Sequence, residues 1–211
     1  MPSAAPAPLR FQPDATPEAR LVLLHGWGAD ADDLLMLGRT LAKPIPLALD
    51  VVALPAPEAH PQGIGRQWYG LFPADWDAVP RAEAALRRRL LDLAEEGIPL
   101  NRTVVLGFSQ GAAMALSSGC DLPFAGLIAC SGYPHPNWTA PTERPPVLLI
   151  HGREDDVVPC SAADEIQRRL VTGNAAVQMV TFEGGHTIPD SVLPTISNAL
   201  NTWLAKAGCE G

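Results

Sequence analysis

The chain predicts an α/β fold, with one mostly parallel sheet carrying helices on both faces. Short apolar runs alternate with longer amphipathic segments along its whole length, the pattern of βαβ units. Runs such as Leu21-Val22-Leu23-Leu24 and Val147-Leu148-Leu149-Ile150 are continuously apolar rather than alternating, which suits strands buried on both faces. A length of 211 residues is enough for one well-buried domain and too short for two ordinary ones. The reading is a single domain over 1–211, with residues 1–8 as a disordered N-terminal tail.

Leu9 to Gln12 reads as a short edge strand, and Pro13 to Glu18 as a turn. Arg20 to Leu24 is a buried strand closed by the loop His25-Gly26-Trp27-Gly28. Asp30 or Asp32 caps the next helix, Leu34, Leu35, Leu37 and Leu41 form its apolar stripe, and Lys43-Pro44 ends it. Asp50 to Leu54 is a third strand. Pro55 to Pro80 is long, Pro- and Gly-rich and irregular, and holds Trp68, Tyr69, Phe72 and Trp76. A loop of that length in a compact domain is usually functional, and its aromatics can wall an apolar pocket. Arg81 to Glu96 is an amphipathic helix closed by Gly97. Later strands span Phe124 to Cys130, Pro146 to Gly152 and Val177 to Phe182. A second aromatic loop, Tyr133 to Pro146, carries His135 and Trp138. Ser161 caps a helix that runs through Leu170 and ends at Gly173, and Ser191 to Ala205 is the terminal helix.

The segment between the Arg81–Glu96 helix and Phe124 carries the strongest functional signal. An apolar, β-branched strand, Thr103-Val104-Val105-Leu106, turns through Gly107-Phe108-Ser109-Gln110-Gly111 into an Ala- and Met-rich helix. Serine at the apex of G-x-S-x-G between strand and helix is the nucleophile elbow of the α/β-hydrolase fold. Such a turn strains the serine backbone and lifts its hydroxyl clear of the sheet. Strand and helix then pass so closely that the flanking positions are glycine. The helix N-terminus behind Ser109 offers N–H groups to a developing oxyanion.

A serine hydroxyl is a weak nucleophile unless a base and an orienting acid stand behind it, and in this fold they follow in the order Ser, acid, His. His186, in the loop Gly184-Gly185-His186-Thr187 after the last strand, fits the base. His25 and His151 stand at strand ends ahead of the acid loop and read as bracing their turns. His60 and His135 lie in Pro-rich loops and read as surface or pocket-rim residues. The acid belongs to Arg153-Glu154-Asp155-Asp156, where spacing alone leaves Asp155 and its runner-up Asp156 open. The backbone N–H groups of Gln110 and Trp27 are the oxyanion donors. Trp68, Tyr69, Trp76 and Trp138 are the candidate pocket residues.

Composition narrows the partners. A net charge of −8 argues against nucleic acid and anionic membrane surfaces. No apolar run approaches the ~20 residues that span a bilayer, and Met1 to Pro8 does not form a signal peptide. Cys120, Cys130, Cys160 and Cys209 show neither C-x-x-C nor metal-ligand spacing, which favours free thiols and a cytoplasmic location. No metal is implied. The oligomeric state stays open, a homodimer included.

Taken together, Leu24-His25-Gly26-Trp27-Gly28, Gly107 to Ala112, Ser131-Gly132-Tyr133, His151-Gly152 through Asp155 to Val158-Pro159, and His186 resemble the phospholipase/carboxylesterase family of small α/β-hydrolases. The resemblance covers roughly residues 20 to 205. It implies Ser109, Asp155 and His186 as a triad, Trp27 and Gln110 as oxyanion donors, no large lid domain and no cofactor. It also implies a small-molecule ester or acyl substrate. Three activities are compatible with it: carboxylesterase on short to medium acyl chains, acyl-protein thioesterase, and lysophospholipase. A non-catalytic binding protein of the same fold is a further alternative. Trp27 stands where better-studied members commonly carry a smaller aliphatic residue. Arg66-Gln67-Trp68-Tyr69 replaces their usual aromatic-acidic turn, which leaves the acyl pocket open.

Overall fold

A computed structural model describes residues 6–171 and 176–207. Met1 to Ala5 of the predicted tail, the helix end at Gly173 and Cys209 lie outside the described residues. The strands are β1 (Leu9–Phe11), β2 (Ala19–Leu24), β3 (Leu49–Leu54), β4 (Glu58–Ala59), β5 (Arg66–Gln67), β6 (Thr103–Phe108), β7 (Gly126–Cys130), β8 (Val147–Gly152) and β9 (Val177–Phe182). The helices are α1 (Ala31–Ala42), α2 (Val79–Ala94), α3 (Gln110–Gly119), α4 (Ser161–Leu170) and α5 (Leu193–Ala207). Seven strands form the main sheet in the order β1-β3-β2-β6-β7-β8-β9. Every pairing is parallel except β1 on β3, an antiparallel edge.

Successive residues of the central strands point alternately to two apolar layers. Val22, Leu24, Val52, Val105 and Leu149 pack beneath α2, α3 and α4. Leu21, Leu23, Val51, Val104, Leu106 and Leu148 pack beneath α1 and α5. Both faces are therefore covered, which is why these strands are continuously apolar. The chain crosses from β2 outward to β3, then returns to place β6 on the other side of β2. Such a reversal opens a crevice beyond the strands' carboxyl ends.

Several boundaries differ from the sequence reading. α2 begins at Val79 rather than Arg81, because Pro80 falls in its first turn, where proline's missing N–H has no intrahelical partner to lose. A 3₁₀ turn, Trp76–Ala78, leads into it, with the Asp75 carboxylate accepting from Ala78 N–H at 3.1 Å. Cys160, not Ser161, takes the cap position of α4. A 3₁₀ turn at Asp190–Val192 precedes α5, which starts at Leu193 instead of Ser191. The Pro55–Pro80 stretch is not wholly irregular, since β4 and β5 pair within it as a small antiparallel hairpin.

At the opposite end of the sheet from that crevice, two apolar strands open on charges. Arg20 starts the central part of β2 and its register partner Asp50 that of β3. Both are buried, and Arg20 Nε donates to Asp50 Oδ2 at 2.8 Å. Arg20 also donates to Leu93 O of α2, and Arg10 and Glu96 close the cluster. Removing one member of a buried ion pair leaves the other uncompensated, at about 3–5 kcal/mol. Asp50→Ala is therefore expected to lower stability by that order, read from the urea midpoint, with activity per folded molecule unchanged.

Candidate active site

The elbow is built by close approach. Ser109 sits at φ 54°, ψ −118°, a region costly for a residue with a Cβ by about 1–3 kcal/mol. A Cβ added at Gly107 would lie 2.3 Å from Gly111 O, and one at Gly111 would lie 2.1 Å from Leu24 O. Nothing larger than glycine fits either position. Ser109 N–H donates to Cys130 O at 2.9 Å, and Ser109 O accepts from Ala112 and Ala113 N–H as α3 begins. The serine is thus clamped between β6, β7 and the first turn of α3.

The strand-end loops converge on it. His186 Nε2 lies 2.9 Å from Ser109 Oγ, and His186 Nδ1 lies 2.7 Å from Asp155 Oδ2. A neutral imidazole with Nδ1–H donating to the carboxylate leaves Nε2 to accept the serine proton. Gly152 lets the histidine loop cross the end of β8: a Cβ there would meet Gly184 O at 2.3 Å. The Phe108 ring lies 4.8 Å from the His186 ring and covers one side of it.

Asp155 is buried and Asp156 is exposed. Asp155 Oδ1 accepts from Val157 N–H at 3.0 Å and Val158 N–H at 2.8 Å, folding its loop back on itself. Burial alone would raise this carboxyl's pKa. The Val158 N–H and the bond from His186 outweigh it and hold the group below the usual aspartate value. His151, the bracing histidine, donates from Nε2 to Val158 O at 2.8 Å and sits 3.4 Å from Asp155 Oδ2.

The Gly26-Trp27-Gly28 loop packs directly on the elbow, since a Cβ at Gly26 would lie 3.3 Å from Ser109 Cβ. Among the described residues neither Trp27 N–H nor Gln110 N–H has an acceptor. The second follows from helix geometry, as first-turn N–H groups have no intrahelical partner. The Gln110 side chain faces inward: its Oε1 accepts from Trp68 N–H at 3.0 Å and its Nε2 donates to Tyr69 O at 2.8 Å. His25 braces the same loop from below, with Nδ1 2.8 Å from Gly26 O and Nε2 accepting from Ala56 N–H at 3.0 Å. Burial lowers its pKa.

The four aromatic pocket candidates divide. Trp68 and Tyr69 are buried in the core beneath α2 and α3. Trp68 Nε1–H donates to His25 O at 2.9 Å, so it is a strut under the Trp27 loop. Trp76 and Trp138 line a cavity of about 260 Å³ with Val79, Glu83 and His135, and neither Ser109 nor His186 forms part of its wall. His60 and His135 are buried rather than on the surface, and His135 lies on the wall of that cavity, in keeping with the pocket-rim alternative. His135 closes a chain from Glu83 Oε1 (2.9 Å to Nδ1) through Nε2 to Tyr69 Oη (2.9 Å), which meets Tyr133 Oη at 2.7 Å. Among the described residues no His, Cys, Asp and Glu cluster is arranged to hold a metal ion. None of their helices is long and apolar enough to cross a membrane.

A parallel sheet that presents an elbow serine, then an acid loop, then a histidine loop, all at one rim, defines an α/β-hydrolase. The chain belongs to the Phospholipase/Carboxylesterase family, which it matches over residues 11–204. Esterase YpfH of Escherichia coli (strain K12) is 30% identical over 203 residues, covering 92% of this chain and 87% of the relative. Acyl-protein thioesterase 1 of Eremothecium gossypii is 24% identical over 212 residues, 90% of each chain. Among solved structures, esterase PE8 superposes with a TM-score of 0.82 at 31% identity, covering 95% of this chain and 99% of that one. The Bacillus cereus carboxylesterase shares the fold at a TM-score of 0.78 and 22% identity, over 95% and 93% of the two chains. This chain is accordingly a hydrolase of the esterase and thioesterase type.

Proposed function

We propose that the protein is a serine carboxylesterase acting on small esters with short to medium acyl chains. The observation that carries the reading is the hydrogen-bonded line Ser109–His186–Asp155, with Ser109 strained at the head of α3. Ser109 Oγ attacks the ester carbonyl as its proton passes to His186 Nε2. Negative charge develops on the carbonyl oxygen and is met by Trp27 and Gln110 N–H, each donor of this kind being worth roughly 10²–10³ in rate. Collapse expels the alcohol, which takes the proton from His186. Water then attacks the Ser109 acyl ester, with His186 as base, and the carboxylic acid leaves. Asp155 keeps the imidazole in the tautomer that accepts from serine and favours the imidazolium. The three described cysteines are free thiols, which supports a reducing cytoplasm as the working compartment.

Thioester hydrolysis is the second reading, favoured by the relatives named acyl-protein thioesterase. It uses the same groups and differs in the leaving thiol. A panel of matched esters, acyl thioesters and lysophospholipids decides between them. The highest kcat/KM is expected on esters of short to medium chains, with stoichiometric labelling by a fluorophosphonate probe. A tenfold or larger preference for thioesters of the same acyl group would replace the first reading with the second. A folded protein that the probe leaves unlabelled would reject both.

A further inference from the structure

The β4–β5 hairpin holds the Trp27 loop by its backbone and its side chains. Gly28 N–H donates to Arg66 O and Arg66 N–H donates to Ala29 O, each at 2.9 Å, so the loop pairs with the hairpin like a short strand. The fit is close: a Cβ on Gly65 would meet Gly28 O at 2.1 Å. Arg66 is tied down in turn, donating to Ala56 O and Pro57 O. The Trp27 indole is held independently. Its Nε1–H donates to Gln67 Oε1 at 3.0 Å, and Gln67 Nε2 reaches Glu58 Oε2 at 3.3 Å.

The indole meets two rings, Phe72, with centroids 5.1 Å apart and planes at 75°, and His60. The His60 ring stands edge-on to the Trp27 indole, with centroids 4.1 Å apart and planes at 75°. It also flanks Gly28, whose added Cβ would lie 3.7 Å from His60 Cδ2. Nδ1 accepts from Gln62 N–H at 3.2 Å, which places the ring proton on Nε2. Nε2 is buried and has no hydrogen-bond partner among the described residues. A buried donor left without a partner is costly to the fold.

We infer that His60 and Gln67 are positioning residues for the oxyanion donor: together they fix the Trp27 indole, and through it the orientation of the Trp27 N–H beside Ser109. The inference rests on the serine-hydrolase reading and adds to it the device that sets one donor's aim. The peptide that carries the Trp27 N–H is held at its carbonyl by His25 Nδ1 on Gly26 O, and the residues after it by the Gly28–Arg66 and Arg66–Ala29 bonds. The Trp27 side chain adds a third hold, through Gln67 and His60 of the hairpin. An oxyanion donor acts only on the charge that develops at the transition state, so loosening it lowers kcat with little change in KM.

The test uses the full-length protein and three variants, His60→Ala, His60→Phe and Gln67→Leu, with each fold checked by its thermal transition. His60→Ala and Gln67→Leu are each expected to lower kcat about 10–100-fold with KM within threefold. His60→Phe keeps a ring against the indole and is expected to recover most of the loss. An alkyl boronic acid, whose tetrahedral adduct on serine places an oxygen in the same donors, should lose affinity in parallel with kcat/KM. A folded His60→Ala or Gln67→Leu that keeps wild-type kcat, or whose boronate affinity does not change, overturns the inference. If His60→Ala fails to fold, the Gln67→Leu result decides. Failure of the underlying reading looks different: the wild-type protein itself then neither labels with fluorophosphonate nor binds the boronate.

Discussion

Ser109→Ala is expected to lower kcat/KM on an activated aryl ester by roughly 10⁶-fold, as loss of the nucleophile does where the triad acts as one unit. On the proposed mechanism the Ser109 hydroxyl forms the acyl-enzyme, and without it the residual rate comes from binding and the oxyanion donors. The fold should be unaffected. The substituted alanine keeps a Cβ at φ 54°, so the backbone strain is unchanged, and only the bond to His186 Nε2 is lost. Fluorophosphonate labelling should vanish together with turnover while the thermal transition stays within a few degrees. Full activity retained in Ser109→Ala would refute the serine mechanism.

Exchange of the two neighbouring aspartates should separate them sharply. Asp155→Asn is expected to lower kcat by about 10⁴, and Asp156→Asn by less than about twofold. In Asp155→Asn the amide oxygen can still accept from Val157 and Val158 N–H, so the loop keeps its shape. The amide nitrogen then faces His186 Nδ1 and can only donate to it. That forces the imidazole proton onto Nε2, which can no longer accept from Ser109. Asp156 is exposed, and among the described residues no bond of this kind depends on it. The variant should also change stability in acid. With its pKa held below the unfolded value, Asp155 contributes stability at pH above the ordinary aspartate value, about 3.9, and loses it as pH falls through the folded value. Equal rate losses in the two variants, measured as kcat on one ester, would contradict the assignment of Asp155.

Much of the site is legible in the chain because each part is local. The elbow declares itself through glycines that only a tight crossing requires, and Gly107 and Gly111 face carbonyl oxygens at distances that exclude any Cβ. The central strands declare themselves by lacking alternation, since both faces are covered. The choice between Asp155 and Asp156 is not legible, because adjacent residues share a loop and only its fold-back turns one carboxylate inward. His60 is misread for a different reason. A histidine between prolines looks solvent-facing, yet the hairpin that buries it consists of two-residue strands too short for any periodicity to register. Glycines at 63 and 65 between those strands, both at positive φ, are the one local sign of the turn. Trp68 is misplaced because an aromatic loop does not reveal which rings face the core. The Arg20–Asp50 pair is missed although its sign is present: a charge at the same position of two neighbouring apolar runs.

The Ser109–His186–Asp155 line also bears on how the molecule comes into being. Its two bonds join residues 77 and 31 positions apart in the chain, on loops hung from different strands. No hairpin or single βαβ unit can form it. Loop-closure entropy for contacts of such separation is met only once the intervening strands have paired, which makes parallel sheets slow to assemble. The Ser109–His186–Asp155 line is therefore completed late, and a nascent or partly unfolded chain carries the serine without its two partners.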